Sequence, residues 1–277
     1  MTTSKTWMIT GAGRGLGRAL TLAALDRGHS VLATVRGEHS LPPHDRLHIH
    51  ELDVRNRRDA FAATDVAVTE FGRLDVLVNN AGYGLIAAIE EASEEEVHEL
   101  LDTDLLGPLW LSQAALPIMR KQGEGHIVQI STVGAVGTMP TLGLYNAAKW
   151  GLEGWTEAMA AEVASFGIRV TIVQPGSIDT HWAGSSMRFA QPTQPYDDLR
   201  TTLFGTSEVP WPVDGTAGGT APADIAAAIL THVADHDDNR LRLLAGDDAP
   251  GQVHAALEKR RQDYALDPRW EVAAQGK

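Results

Sequence analysis

The sequence predicts an α/β fold in which a mainly parallel, seven-stranded sheet is doubly wound, with helices on both faces. Two observations predict it. Short apolar runs of strand length alternate with longer stretches of helical period. The polar and glycine motifs each fall at the carboxyl end of such a run, where ligands sit in parallel sheets covered on both faces and joined by right-handed crossovers.

In chain order, the first apolar run spans 6–10 and a helical pattern follows at 15–27. Runs at 30–35 and 47–52 come next, then a helix at 57–71 and a strand at 76–78. A long helical pattern at 94–121 leads to a strand at 126–130, and another at 143–166 leads to a strand at 169–173. Residues 183–222 read differently. Pro192, Pro195, Pro210, Pro212 and Pro222 punctuate them, with Gly215, Gly218 and Gly219 among them. A long irregular segment in a compact domain is expected to be a lid or binding loop, here a substrate-binding lid. Helical patterns return at 223–235 and 251–263, flanking the seventh strand at 241–244. With no repeat or interdomain linker, residues 1–277 are expected to be a single catalytic domain.

The chain has 277 residues, 43% hydrophobic and 21% charged, with a net charge of −13. That balance argues against a nucleic-acid partner, which usually leaves a basic footprint, but not against an anionic small molecule in a locally positive cleft. Without cysteine, disulfides, thiolate chemistry and cysteine-ligated zinc are excluded. No apolar run approaches the roughly 20 residues of a membrane span, and the start leads directly into a strand. A soluble, cytoplasmic protein with no membrane partner is the expectation.

Thr10-Gly11-Ala12-Gly13-Arg14-Gly15-Leu16-Gly17 follows the first strand and opens a helix. Glycines let the backbone turn tightly against a pyrophosphate, which can rest on the helix N-terminus. Alone, such a turn could equally be a structural strand-to-helix connection. At the end of the second strand, where an NAD site usually carries an acid for the ribose 2′-hydroxyl, stand Val35 and Arg36. Arg14 and Arg36 could be solvated surface charges. Together they suit a 2′-phosphate, so NADP(H) is expected in preference to NAD(H), with NAD(H) still possible. Glu38 lies too far along to be the missing acid.

Tyr145 and Lys149 stand four residues apart, on one helical face. A phenol with a pKa near 10 is a poor base at neutral pH, and a nearby ammonium favours its phenolate. Such a tyrosine can exchange a proton with a substrate oxygen. Together, TGxxxGxG at Thr10–Gly17 and YxxxK at Tyr145–Lys149 resemble the classical short-chain dehydrogenase/reductase family, a Rossmann fold. Val128-Gln129-Ile130-Ser131 and Trp150-Gly151-Leu152-Glu153-Gly154 look like its steroid and retinol dehydrogenase-like carbonyl reductases. The resemblance covers about residues 6–182.

The resemblance implies a cofactor site made of Gly11, Gly13, Arg14, Gly15, Leu16 and Gly17, then Arg36, Asp53 and Val54. Asn80, Ala81 and Gly82 of the NNAG-like run follow, with Tyr145 and Lys149. Pro175, Gly176, Ile178 and Thr180 complete it beside the carboxamide. It implies Tyr145 as acid/base. Two departures matter. The family's substrate-orienting serine is Thr132 here; its hydroxyl can still donate, while its methyl stiffens the side chain. Ser131 next door could substitute only if the loop is shifted. The family asparagine whose main-chain carbonyl holds a water linked to the lysine is Asp104. Its negative charge close to Lys149 would favour the ammonium and rewire the proton relay, giving reduced or pH-shifted activity.

Met139, Leu142, Trp182, Met187, Phe189 and Trp211 suggest an apolar or aromatic carbonyl compound or secondary alcohol as the small-molecule partner, although each could be ordinary core. The eleven histidines show no metal spacing, and the His44, His48 and His50 cluster reads as packing or solvated, so no metal is expected. Ala148, Leu152, Trp155, Met159 and Val163 form a core stripe. The resemblance implies a homodimer or homotetramer. Two other functions stay open: an epimerase or lyase on the same scaffold, and an NADP-binding regulatory protein with little turnover.

Overall fold

The computed structural model describes residues 4–179, 187–208 and 218–270. Its strands are β1 (Thr6–Thr10), β2 (Ser30–Val35), β3 (Leu47–Glu51), β4 (Val76–Asn79), β5 (Gly84–Ile86), β6 (Gly125–Ile130), β7 (Ile168–Pro175), β8 (Met187–Phe189) and β9 (Arg242–Ala245). Its helices are α1 (Gly15–Asp26), α2 (Arg57–Phe71), α3 (Glu94–Leu101), α4 (Gly107–Gln122), α5 (Gly143–Val163), α6 (Asp197–Phe204), α7 (Pro222–Ala234) and α8 (Ala249–Tyr264).

Seven strands form one parallel sheet in the order β3-β2-β1-β4-β6-β7-β9. The order reverses between β1 and β4, which opens a crevice at their carboxyl ends. The central strands are buried on both faces, and alternate residues feed two cores. Trp7, Ile9, Val31, Ala33, Val76 and Val78 pack under α1 and α7. Met8, Leu32 and Leu77 face the other way, under α2, α4 and α5. Of the α5 stripe, Trp155, Met159 and Val163 lie in or against this second core, and Ala148 and Leu152 are fully buried.

Two expectations are corrected. The helix expected over 94–121 is interrupted by a π-helical turn, Asp102–Leu106, between α3 and α4. Pro108 supplies the local reason: it has no N–H to give the carbonyl four residues back, that of Asp104. The Gly107 N–H bonds five residues back instead, to the Asp102 carbonyl. The segment 183–222 is not irregular throughout. Its described part holds β8, which pairs in parallel with β5, a 3-10 turn at Gln194–Tyr196, and α6. Arg200 of α6 is buried and bonds Glu91 at 2.7 Å, and it also donates to the carbonyls of Thr193 and Ser207. That node anchors the segment to the body of the domain.

Candidate active site

Tyr145 lies in the first turn of α5 and Lys149 one turn further; they are 6% and 5% exposed. The helix therefore carries both into the crevice at the strand ends. The Lys149 Nζ donates to the Ile130 carbonyl at 3.2 Å and lies 5.9 Å from the centre of the Tyr145 ring. It also stands 3.2 Å from Asp104 Oδ2, in an ion contact not aligned as a hydrogen bond. The other carboxylate oxygen, Oδ1, accepts the Tyr83 N–H at 3.1 Å. Asp104 is fully buried. The π-turn thus aims this side chain at the lysine.

Burial raises the Asp104 pKa, while Lys149 and the Tyr83 N–H oppose the shift. Tyr145 is pushed well above the ordinary phenol range, first by burial and then by the charge of Asp104, with a hydrogen bond to Thr132 pulling the other way. Thr132 also accepts the Gly134 N–H at 3.1 Å, which fixes it at the start of a short 3-10 turn. Ser131 is committed elsewhere. Its hydroxyl donates to Glu153 Oε1 at 2.6 Å, so the loop is not shifted to replace Thr132.

The phosphate loop is built by close approach. Gly15 adopts φ 53°, and a Cβ on Gly17 would sit 2.4 Å from the Gly11 carbonyl oxygen. No side chain caps α1, so its first N–H groups are left for an anion, as a dinucleotide pyrophosphate requires. Asn80 donates to the Thr10 carbonyl at 2.8 Å, and Thr10 Oγ1 accepts the N–H groups of Asn80 and Ala81 at 2.9 and 3.0 Å. Thr10 therefore staples β1 to β4 at the switch point. Sequence reasoning missed it, although it stands in the glycine motif.

One cleft of about 700 Å³ brings together the described residues expected at the cofactor site, with Thr132, Ser131 and Asp104. Thr180 lies outside the described residues. Arg14 and Arg36 both line the cleft, and Val35 at the end of β2 is buried. Glu38 lines it as well, two positions beyond Arg36. Asp53 is clasped by Arg55, whose Nε lies 3.0 Å from each carboxylate oxygen and whose Nη2 lies 2.6 Å from Oδ2. That clasp holds Asp53 below the usual carboxylate range. Gly176 is packed so tightly that a Cβ would sit 2.0 Å from Asp248 Oδ1. Ile178 forms a bridge with Thr220.

Met139, Leu142 and Met187 line the cleft, joined by Ile86, Tyr83 and Arg188, which the sequence did not single out. Phe189 is not among the lining residues, and Trp182 and Trp211 lie outside the described residues. Among the described residues no group of histidines and carboxylates could hold a metal ion. His48 faces Glu70 at 3.3 Å, and His44 accepts the Arg46 N–H. No described helix is long and apolar enough to cross a membrane.

A profile of the short chain dehydrogenase family matches residues 5–190. Oxidoreductase BOA17 of Botryotinia fuckeliana (strain B05.10) is 38% identical over 261 residues, covering 92% of this chain and 93% of that protein. The crystal structure of a short-chain dehydrogenase from Streptomyces avermitilis superposes with a TM-score of 0.85 at 32% identity, covering 99% of each chain. A tyrosine-to-phenylalanine variant of ElxO with NADPH bound superposes with a TM-score of 0.68 at 25% identity, covering 87% of this chain and 97% of that one.

Proposed function

The chain belongs to the short chain dehydrogenase family of oxidoreductases, and on that premise we propose that it interconverts an apolar ketone or aldehyde and the matching alcohol with NADP(H). One observation carries the reading: Tyr145, Lys149 and Thr132 share a cleft wall with the uncapped glycine loop. Arg14 and Arg36, with no acid at Val35, favour the 2′-phosphate of NADP over NAD. A tyrosine-to-phenylalanine variant of ElxO, which shares the fold, has a solved structure with NADPH bound.

When bound, NADPH supplies the hydride that reduces the carbonyl carbon. Tyr145 gives its phenolic proton to the oxygen left negative, so the C=O bond gains one hydride and one proton. Its raised pKa keeps the phenol protonated and ready to donate. The Thr132 hydroxyl orients the same oxygen. Lys149 stabilises the phenolate that remains, and Asp104 and the Ile130 carbonyl fix the ammonium in place. In the alcohol direction the steps reverse. The expected homodimer or homotetramer belongs to the same reading, and sedimentation checks it.

The test follows NADPH absorbance with aromatic and alicyclic ketones, quinones and aldehydes, beside NADH and a Tyr145→Phe variant. Turnover that prefers NADPH and falls by ~10²-fold or more in the variant supports the proposal. NADPH binding without turnover in either direction would overturn it.

A further inference from the structure

Tyr83 and Arg188 are two polar side chains on the substrate side of the cleft with no part in hydride or proton transfer. Their neighbours there, Ile86, Met139, Leu142 and Met187, are apolar. Polar groups set into an apolar wall are what orient a ligand.

Arg188 is held from behind. Its Nη1 donates to Glu99 Oε2, and its guanidinium carbon lies 4.5 Å over the Tyr83 ring. Glu99 is not among the residues lining the cleft. The other oxygen of Glu99 accepts Arg55 Nη1 at 3.0 Å. Arg55 uses its remaining edge, Nε and Nη2, to clasp the Asp53 carboxylate. Arg188 repeats the first half of this arrangement on the same glutamate. Its own Nε and Nη2 edge has no carboxylate, and no protein acceptor among the described residues.

Tyr83 supplies the platform over which that guanidinium lies. Its hydroxyl is buried with no hydrogen-bond partner among the described residues, and burial pushes its pKa up to about 12, so it is a neutral O–H. The Asp104 charge nearby is balanced by Lys149.

We infer that Arg188 and Tyr83 form a carboxylate-recognising subsite, and that the preferred substrate is an apolar carbonyl compound with a carboxylate remote from its reacting carbon. The inference rests on the carbonyl reductase reading above. The planar Nε and Nη2 edge matches the two oxygens of one carboxylate, as Arg55 does for Asp53. One guanidinium already shared with Glu99 suits a monoanion better than a phosphate dianion.

The experiment uses aryl ketones bearing a carboxylate on linkers of increasing length, each paired with its methyl ester. With wild-type protein, at least one acid is expected to exceed its ester in kcat/KM by tenfold or more, chiefly through KM. In Arg188→Gln that ratio is expected to collapse toward one, with a smaller fall in Tyr83→Phe. A purely structural Arg188 would lower acid and ester in parallel and leave the ratio unchanged. That result, or acids no better than esters across the series, overturns the inference. Calorimetric binding of acid and ester to the NADP⁺-loaded protein gives a second readout. If no ketone turns over, the reductase reading fails, and the acid-to-ester affinity ratio in wild type and Arg188→Gln still decides the subsite.

Discussion

Lys149 Nζ and Asp104 Oδ2 lie 3.2 Å apart inside the protein, the carboxylate fully buried and the ammonium nearly so. The pair stands beside Tyr145, and the Asp104 charge raises that phenol's pKa. A neutral amide at this position would remove the effect.

Asp104→Asn is therefore expected to move the pH dependence of kcat/KM downward, by about one unit, in both directions. In alcohol oxidation, which needs the phenolate, the rise with pH comes earlier. In carbonyl reduction, which needs the phenol, the loss at high pH comes earlier. Superimposable profiles for variant and wild type would remove Asp104 from the proton relay.

Glu153 is a buried carboxylate one turn beyond Lys149, and it joins three segments of the site. It accepts Ser131 at 2.6 Å, Gln174 at 2.9 and 3.0 Å, and Arg242 at 3.3 Å. Glu153→Ala leaves those donors without an acceptor and should cost ~2–4 kcal/mol in urea unfolding. Glu153→Gln keeps one acceptor oxygen and should cost less. Equal losses for the two variants would mean that the charge, rather than these bonds, sets the value.

Gly17→Ala presses a methyl onto the Gly11 carbonyl oxygen, 2.4 Å away in the present backbone. The loop must open to relieve it. NADPH affinity is expected to fall by at least ~30-fold, about 2 kcal/mol, in fluorescence titration, the size typical of overpacking. Wild-type affinity in a folded variant would show that the loop does not hold the cofactor.

Burial holds His126 well below its ordinary pKa and also lowers His29. Depressed histidines contribute stability above about pH 6.5, where folded and unfolded chains are both neutral. The contribution is lost as pH falls below that value, because only the unfolded chain takes up the proton. Stability should therefore drop between pH 6.5 and 5, and His126→Asn should flatten the slope by up to ~1.4 kcal/mol per pH unit. A variant with the wild-type slope would place the proton uptake elsewhere.

The main sheet was legible because most of its strands are short, largely apolar runs bordered by helical patterns, and helix 57–71 matches α2 at both ends. The glycine loop and the Tyr145–Lys149 pair were legible because their chemistry depends on local spacing. What escaped was non-local or ambiguous in type. β5 and β8 are three residues each and pair across about a hundred positions, too short and too distant for any periodicity. Glu153 looks like a solvent-facing charge on a helix until Ser131, Gln174 and Arg242 are seen around it. Arg188 fell within a segment read only as a lid. The π-turn left no mark in hydrophobic period, although Gly107-Pro108 was a signal that the long helix could not run through unbroken.

The three-residue pairing of β5 with β8 also bears on the order in which the molecule loosens. Few backbone bonds hold these strands, whereas the central strands of the seven-stranded sheet are buried on both faces. So short a ladder is expected to open at a lower free energy than the sheet, and because Leu85 packs with Tyr145 in one buried cluster, such an opening would loosen the wall beside the catalytic tyrosine while the glycine loop stays folded. Exchange should then be graded, with the amides of Leu85 and Arg188 expected to take up deuterium before those of Met8 or Leu77.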